Sequence, residues 1–283
     1  MLRTTLLVLL IVLVSCAAPP APAIQITEVT YEDRPHFQVT TPAATYVYDQ
    51  AGGGFSRIID PEGNDWVAFK MEPWGEYPPS AASAYRGLPN LVFQGADGGA
   101  GHPGFDQTTT EQLDATTLRT TSTSGLWQWT VRFTDDRATL TVDRADTTRG
   151  YWFLYEGPVG GTFSPATHYW GTDVLGHRTD TPDLYAGEAV TGQWQWAFFG
   201  DTTVDRVFYV HQTPADTLTD TMTFLGNTES GMDSPDGMVV FGFGRDGIQS
   251  LMRDTGNTFT FGFYEQAITS TDEITSLEAH LSP

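Results

Sequence analysis

Apolar and polar residues alternate with period two through much of this chain, the pattern of half-buried β-strands. It runs through Ile24-Gln25-Ile26-Thr27-Glu28-Val29, Ala44-Thr45-Tyr46-Val47-Tyr48, Trp127-Gln128-Trp129-Thr130-Val131-Arg132-Phe133 and Ala138-Thr139-Leu140-Thr141-Val142. It returns in Arg206–His211, Met238–Phe243 and Thr258–Phe263. Turn residues separate these runs: Ala51-Gly52-Gly53-Gly54, Pro61-Glu62-Gly63-Asn64, Asp135-Asp136 and Asp246-Gly247. Ala, Lys and Glu nowhere assemble a long helical face. The expected architecture is all-β, a large antiparallel sandwich of two sheets with long loops. No composition break or fixed-period repeat divides it, so residues 24–283 are expected to form a single sandwich domain.

The amino terminus breaks this pattern. Met1-Leu2-Arg3 is followed by an apolar run from Leu6 to Val14, well short of the ~20 residues a membrane-spanning helix needs. It therefore reads as a cleaved signal over residues 1–15. The run Leu13-Val14-Ser15-Cys16 resembles the lipobox of bacterial lipoproteins. That resemblance implies cleavage before Cys16, a diacylglycerol thioether on its sulfur and an acylated amino group, including palmitate-type chains. With Ala17 rather than Asp after the cysteine, it further implies the outer membrane of the cell envelope. A simple secretory signal with a chance cysteine is the alternative. Residues 16–23, rich in Ala and Pro, would form a stiff spacer behind the anchor.

Charge and cysteine content narrow the function. Cys16 is the single cysteine, so the mature domain is expected to hold together without disulfides and without thiol nucleophiles. Fourteen Lys plus Arg against 35 Asp plus Glu give a net charge of −21. Such a chain lacks the basic footprint that nucleic-acid binding needs. The acids are scattered, which fits a solubilising surface or plain background composition better than a calcium site. No Gly-x-Ser-x-Gly elbow and no His-Glu-x-x-His motif occurs, and no cofactor is implied. A metal site from His168 and His177 plus an acid is left open but has no further support in the sequence.

Three stretches interrupt the strand rhythm and are read as loops: 72–106, 155–178 and 227–237. The first is the best candidate site, because a loop of that length inside a compact domain is uncommon without a purpose. Its Gly and Pro residues would present Tyr85, Arg86, Asn90 and His102. Tyr and His exchange protons, whereas Arg and Asn hold carboxylates or hydroxyls. Those four are the candidate catalytic residues. Trp74, placed to stack on a sugar ring, and Glu76 on the same loop, with Trp170 and Arg178 on the second, are the candidate substrate-binding residues. An ordinary structural role, bracing the loop, competes with each of them. Trp127/Trp129 and Trp194/Trp196 are expected to share a strand face in pairs, as core first and as a stacking platform second.

The aromatic strands together with the Tyr85-Arg86-Gly87, Pro89-Asn90 and Gly101-His102-Pro103-Gly104 insertion look like the galactose-mutarotase-like supersandwich group. The resemblance covers texture from about Ile24 onward. It implies a carbohydrate ligand, polysaccharide or oligosaccharide, and proton transfer at a sugar carbon. In the lyases of this group a Tyr or His is the base and Asn or Arg neutralises a uronate, roles that would fall here to Tyr85, His102, Asn90 and Arg86. A mutarotase would use a His and a Glu, for which His168 and Glu265 stand as candidates. The alternative is a non-catalytic glycan-binding or structural envelope lipoprotein.

Overall fold

The computed structural model describes residues 24–71, 86–92, 97, 99–226 and 237–282. The first layer is a nine-stranded antiparallel sheet. Its strands are β5 (Thr108–Asp114), β6 (Thr117–Ser122), β7 (Gln128–Phe133), β8 (Arg137–Arg144), β10 (His168–Thr172), β11 (Gly176–Arg178), β13 (Trp196–Asp201), β14 (Val207–Thr213) and β19 (Thr258–Tyr264). Their spatial order is β11-β10-β13-β14-β19-β8-β7-β6-β5.

Facing it are two four-stranded sheets. One has the order β1 (Gln25–Tyr31), β2 (Arg34–Thr40), β3 (Thr45–Asp49), β4 (Gly54–Ile59). The other runs β12 (Val190–Gly192), β15 (Asp220–Leu225), β16 (Met238–Phe243), β9 (Phe153–Gly157). The dipeptide Gly87-Leu88 links them, bridging Glu156 of β9 on one side and Phe55 of β4 on the other. Part of the long 72–106 insertion is thus a bridged dipeptide that connects the two small sheets edge to edge.

Alternation decides where each side chain goes. Phe208 and Val210 of β14 enter the inter-sheet core, whereas Val207 and Tyr209 face outward. Across the core, Phe153 stacks on Phe259 at 4.3 Å, Tyr155 meets Phe208 at 4.7 Å, and Phe55 meets Phe261 edge-on at 5.3 Å. Trp66, Trp127, Trp129, Trp152 and Trp170 are fully buried. Each removes ~150–250 Å² from water, roughly 4–6 kcal/mol by transfer before entropy is counted.

Three expectations need correction. The 155–178 stretch is not a loop: Phe153–Gly157, His168–Thr172 and Gly176–Arg178 are strands. The first two are buried on both faces, so their sequences do not alternate. Trp194 and Trp196 do not share a face. Trp194 precedes β13 outside any strand and packs on Phe241 in the main core, while Trp196 joins a cluster on the opposite side of the sheet. That cluster is covered by helix α1 (Thr271–Leu281), which the composition did not lead us to expect. Ser270 and Glu273 form a reciprocal capping box at its start, and Leu277 and Leu281 are buried against Tyr209 and Phe198. The turns at 51–53, 61–62 and 135–136 and the Trp127/Trp129 core pair stand as expected.

Candidate functional site

On the outer face of the second layer, the side turned away from the first sheet, buried polar groups gather around the described residues 99–106. Asp49, at the end of β3 and fully buried, is their anchor. It accepts from Arg34 Nε at 2.8 Å, from the Ala51 and Gly52 amides at 3.0 Å each, and from the Gly104 amide at 2.9 Å. Burial alone would raise its pKa, but Arg34 and these amides outweigh it and hold the carboxyl below the usual range. Arg34 also pairs with Asp106. The Gly104–Asp106 end of this segment is in this way tied to the β2–β3 region.

Just before those ties, His102 and Pro103 lie on bare backbone. A Cβ on Gly52 would stand 2.6 Å from the His102 carbonyl, and one on Gly54 or Gly87 would stand 2.6 Å from Pro103 Cδ. The glycines of the 51–54 turn therefore serve close approach as well as the turn itself. His102 is fully buried and its Nδ1 lies 2.7 Å from the Pro103 carbonyl. A carbonyl only accepts, so Nδ1 carries a proton. Nε2 then faces Glu156 Oε2 at 3.5 Å. Glu156 is 7% exposed, and its Oε2 has no hydrogen-bond partner.

The sequence-predicted residues distribute as follows. Tyr85, Trp74, Glu76 and Cys16 lie outside the described residues. Arg86 is buried and donates to the backbone carbonyls of Ala68 at 3.3 Å and Gly237 at 3.2 Å. Asn90 is buried, with its side-chain oxygen unpartnered. Trp170 is 1% exposed and its indole N–H donates to the Asp180 carbonyl at 2.9 Å. The Arg178 guanidinium lies 5.4 Å from the Trp170 ring centre and is itself held bidentately by Asp180. Trp170 is thus a core residue under an ion pair and presents no ring face to a ligand. His168 and Glu265 are separate too. His168 is buried, accepts from the Ser164 amide at 2.9 Å and is held below the usual imidazole range by burial. Glu265 is exposed on Arg206. His177 packs against Tyr169, and among the described residues no three His, Cys, Asp or Glu side chains gather as metal ligands.

Sequence reasoning missed Glu156, Arg34 and Asp49. Glu156 sits in an unalternating buried run, Leu154-Tyr155-Glu156-Gly157. A charge inside such a run was the available signal, because Glu is seldom fully buried without a purpose.

No protein-family model and no curated protein sequence matches this chain. Solved structures do. The chain superposes on the protein HI1317 with a TM-score of 0.52 at 11% identity, covering 88% of this chain and 98% of that one. It superposes on YeaD from Salmonella typhimurium, described as a proposed mutarotase, with a TM-score of 0.50 at 11% identity, covering 87% and 97%. A galactose mutarotase-like protein from Lactobacillus casei gives 0.49 at 10% identity, covering 81% and 100%. The fold is that of the mutarotase-like β-sandwiches. The supersandwich expectation therefore holds for the architecture.

Proposed function

We propose that this chain is a carbohydrate-binding protein of the bacterial cell envelope, lipid-anchored through Cys16 in the outer membrane, and that it moves a proton at a sugar carbon. The sugar-related fold supports the ligand class, and the lipobox-like Leu13–Cys16 run supports the anchor. The observation that carries the catalytic part is the approach of His102 Nε2 to Glu156 Oε2 at 3.5 Å. Both atoms are acceptors when the ring is neutral and the carboxyl ionised, and the approach is attractive only when one of them is protonated. Two such groups are an acid and a base in one site, the requirement for general acid–base chemistry. This pair replaces His168 and Glu265 as the mutarotase-type candidates. Tyr85 stays a candidate base, and Arg86 and Asn90 stay candidates for holding the substrate.

The experiment is anomer exchange of freshly dissolved neutral hexoses, followed by NMR, beside a panel of uronate polysaccharides monitored for new unsaturated ends. Acceleration of either reaction, lowered at least tenfold in H102Q, is the expected result. Palmitate labelling lost in C16S tests the anchor.

A non-catalytic binder is the second reading. It is favoured by the hydrogen bonds of Arg86 and of His102 Nδ1, which end on backbone carbonyls, and by the complete burial of His102. Glycan binding with neither reaction accelerated selects it.

A further inference from the structure

Glu156 has a second charged neighbour. Arg245 leaves the short hairpin formed by β17 (Arg245–Asp246) and β18 (Gln249–Ser250) and lies back over β16. Gly242 makes room for it: a Cβ there would meet Leu154 at 2.4 Å and the Arg245 Cβ and Cδ at 3.1 Å. Gly242 pairs with Leu154, and Val240 with Glu156, so the Arg245 stem and the Glu156 side chain share the outer face of the β9–β16 pair. Arg245 Nε donates to the Gly247 carbonyl at 2.9 Å, and the guanidinium lies 5.2 Å from the Trp152 ring centre. Burial works against the charge on this guanidinium and Glu156 favours it, yet the two form no ion pair. Arg245 Nη1 is buried without a hydrogen-bond partner, and so is Glu156 Oε2.

Opposite charges in low dielectric normally close into contact, because an unmatched buried charge is costly. Here each keeps one unsatisfied atom: a donor on the arginine and an acceptor on the carboxylate. The complementary group must accept from one and donate to the other. A hydroxyl does both, whereas a carboxylate only accepts. We infer that Glu156 and Arg245 form a subsite that reads hydroxyl groups of a neutral sugar ring, one hydroxyl donating to Glu156 Oε2 and an oxygen of the ring or its substituents accepting from Arg245 Nη1. This rests on the carbohydrate reading above and specifies it. The subsite itself carries one charge of each sign, so a uronate would gain Arg245 only by bringing its carboxylate to the side of Glu156. The chain's net charge of −21 adds long-range repulsion against polyanionic glycans. Neutral glycans, and not uronates, are the ligand class this geometry favours.

Calorimetric titration of the full chain with matched pairs, glucose against glucuronate and galactose against galacturonate, and with neutral and uronate oligosaccharides, tests it. The neutral member is expected to bind at least tenfold more tightly, and both E156Q and R245M to weaken it at least tenfold while leaving the circular-dichroism spectrum unchanged. Uronates binding as tightly as their neutral parents would overturn the neutral class and leave the carbohydrate reading standing. Neutral-sugar binding that survives both substitutions would overturn the subsite alone. If no member of the panel binds to the wild type, the carbohydrate reading falls and the subsite with it. The wild-type comparison decides the ligand class even if a variant fails to fold.

Discussion

Gly87 and Glu156 exchange both of their backbone hydrogen bonds, each 3.0 Å long. They form a hydrogen-bonded antiparallel pair, whose two side chains leave on the same face. On that face Glu156 carries its carboxylate and Gly87 carries nothing, and the vacant position is where His102 and Pro103 lie. The pair thus joins two sheets and sets the distance from His102 to Glu156.

Gly87→Ala places a methyl carbon 2.6 Å from Pro103 Cδ and 3.3 Å from His102 Nε2. Backbone shifts of that kind cost about 1–3 kcal/mol. Chemical denaturation is expected to show that loss, and the histidine resonances of His102 are expected to move. A variant as stable as the wild type, with unshifted resonances, would contradict the close approach.

Asp49→Asn removes one partner of a buried ion pair and turns an acceptor of three amides into a group with one acceptor oxygen. Breaking such a pair costs ~3–5 kcal/mol. The Asp49 pKa is lowered on folding, so its stabilisation is present above the unfolded carboxyl pKa and is lost as pH falls through the lower folded value. Wild type should lose stability on acidification below about pH 4, and Asp49→Asn should lose less there. Urea midpoints across pH 2.5–6 measure the difference.

Asp220 behaves in the opposite sense. It is 1% exposed and accepts from the Trp194 amide at 2.7 Å and the Gly244 amide at 2.9 Å. Burial is the largest influence and, with the charges of Asp216 and Asp173, pushes it up to about 7 against those two amides. A raised carboxyl pKa means that the folded protein holds the proton more tightly. The contribution is therefore greatest below the unfolded pKa and is lost as pH rises to about 7. Three pH units at ~1.4 kcal/mol each bound it at about 4 kcal/mol. Asp220→Asn should remove this slope between pH 4 and 7 in denaturation measurements. An unchanged slope would assign the titration to another group.

Ser270→Ala deletes the side chain that accepts from the Glu273 amide at the start of α1. Loss of an N-cap costs ~1 kcal/mol, so the melting temperature should fall by about 2–4 °C. Fraying of α1 should also loosen the packing of Leu277 and Leu281, read as faster amide exchange there.

The legible parts were those with a local cause. Alternation in Gln128–Phe133 and Arg137–Arg144 marked strands because each has one face in the core and one outside it. Phe153–Gly157 and His168–Thr172 carried no such mark, being covered on both faces. The capping box Ser270-Thr271-Asp272-Glu273 was a local signal for α1 that composition masked. Among the candidate residues, His102 and Trp170 were both named from local sequence, and the fold buries both. A buried and an exposed tryptophan look alike in sequence, and only packing against Trp194 and Arg178 separates them.

By itself the sequence determined the all-β class, most of the strands, the acidic surface and the absence of cysteines beyond position 16, because periodicity, charge and residue counts are properties of the chain. Tertiary structure alone decided that Gly87-Leu88 bridges the two small sheets, that His102 approaches Glu156 and that Arg245 shares the outer face with it. Those residues lie 54 and 89 positions apart in the chain (156 − 102 and 245 − 156). What brings them together is strand pairing between distant segments, an energy shared by the whole sheet and written in no single stretch of it.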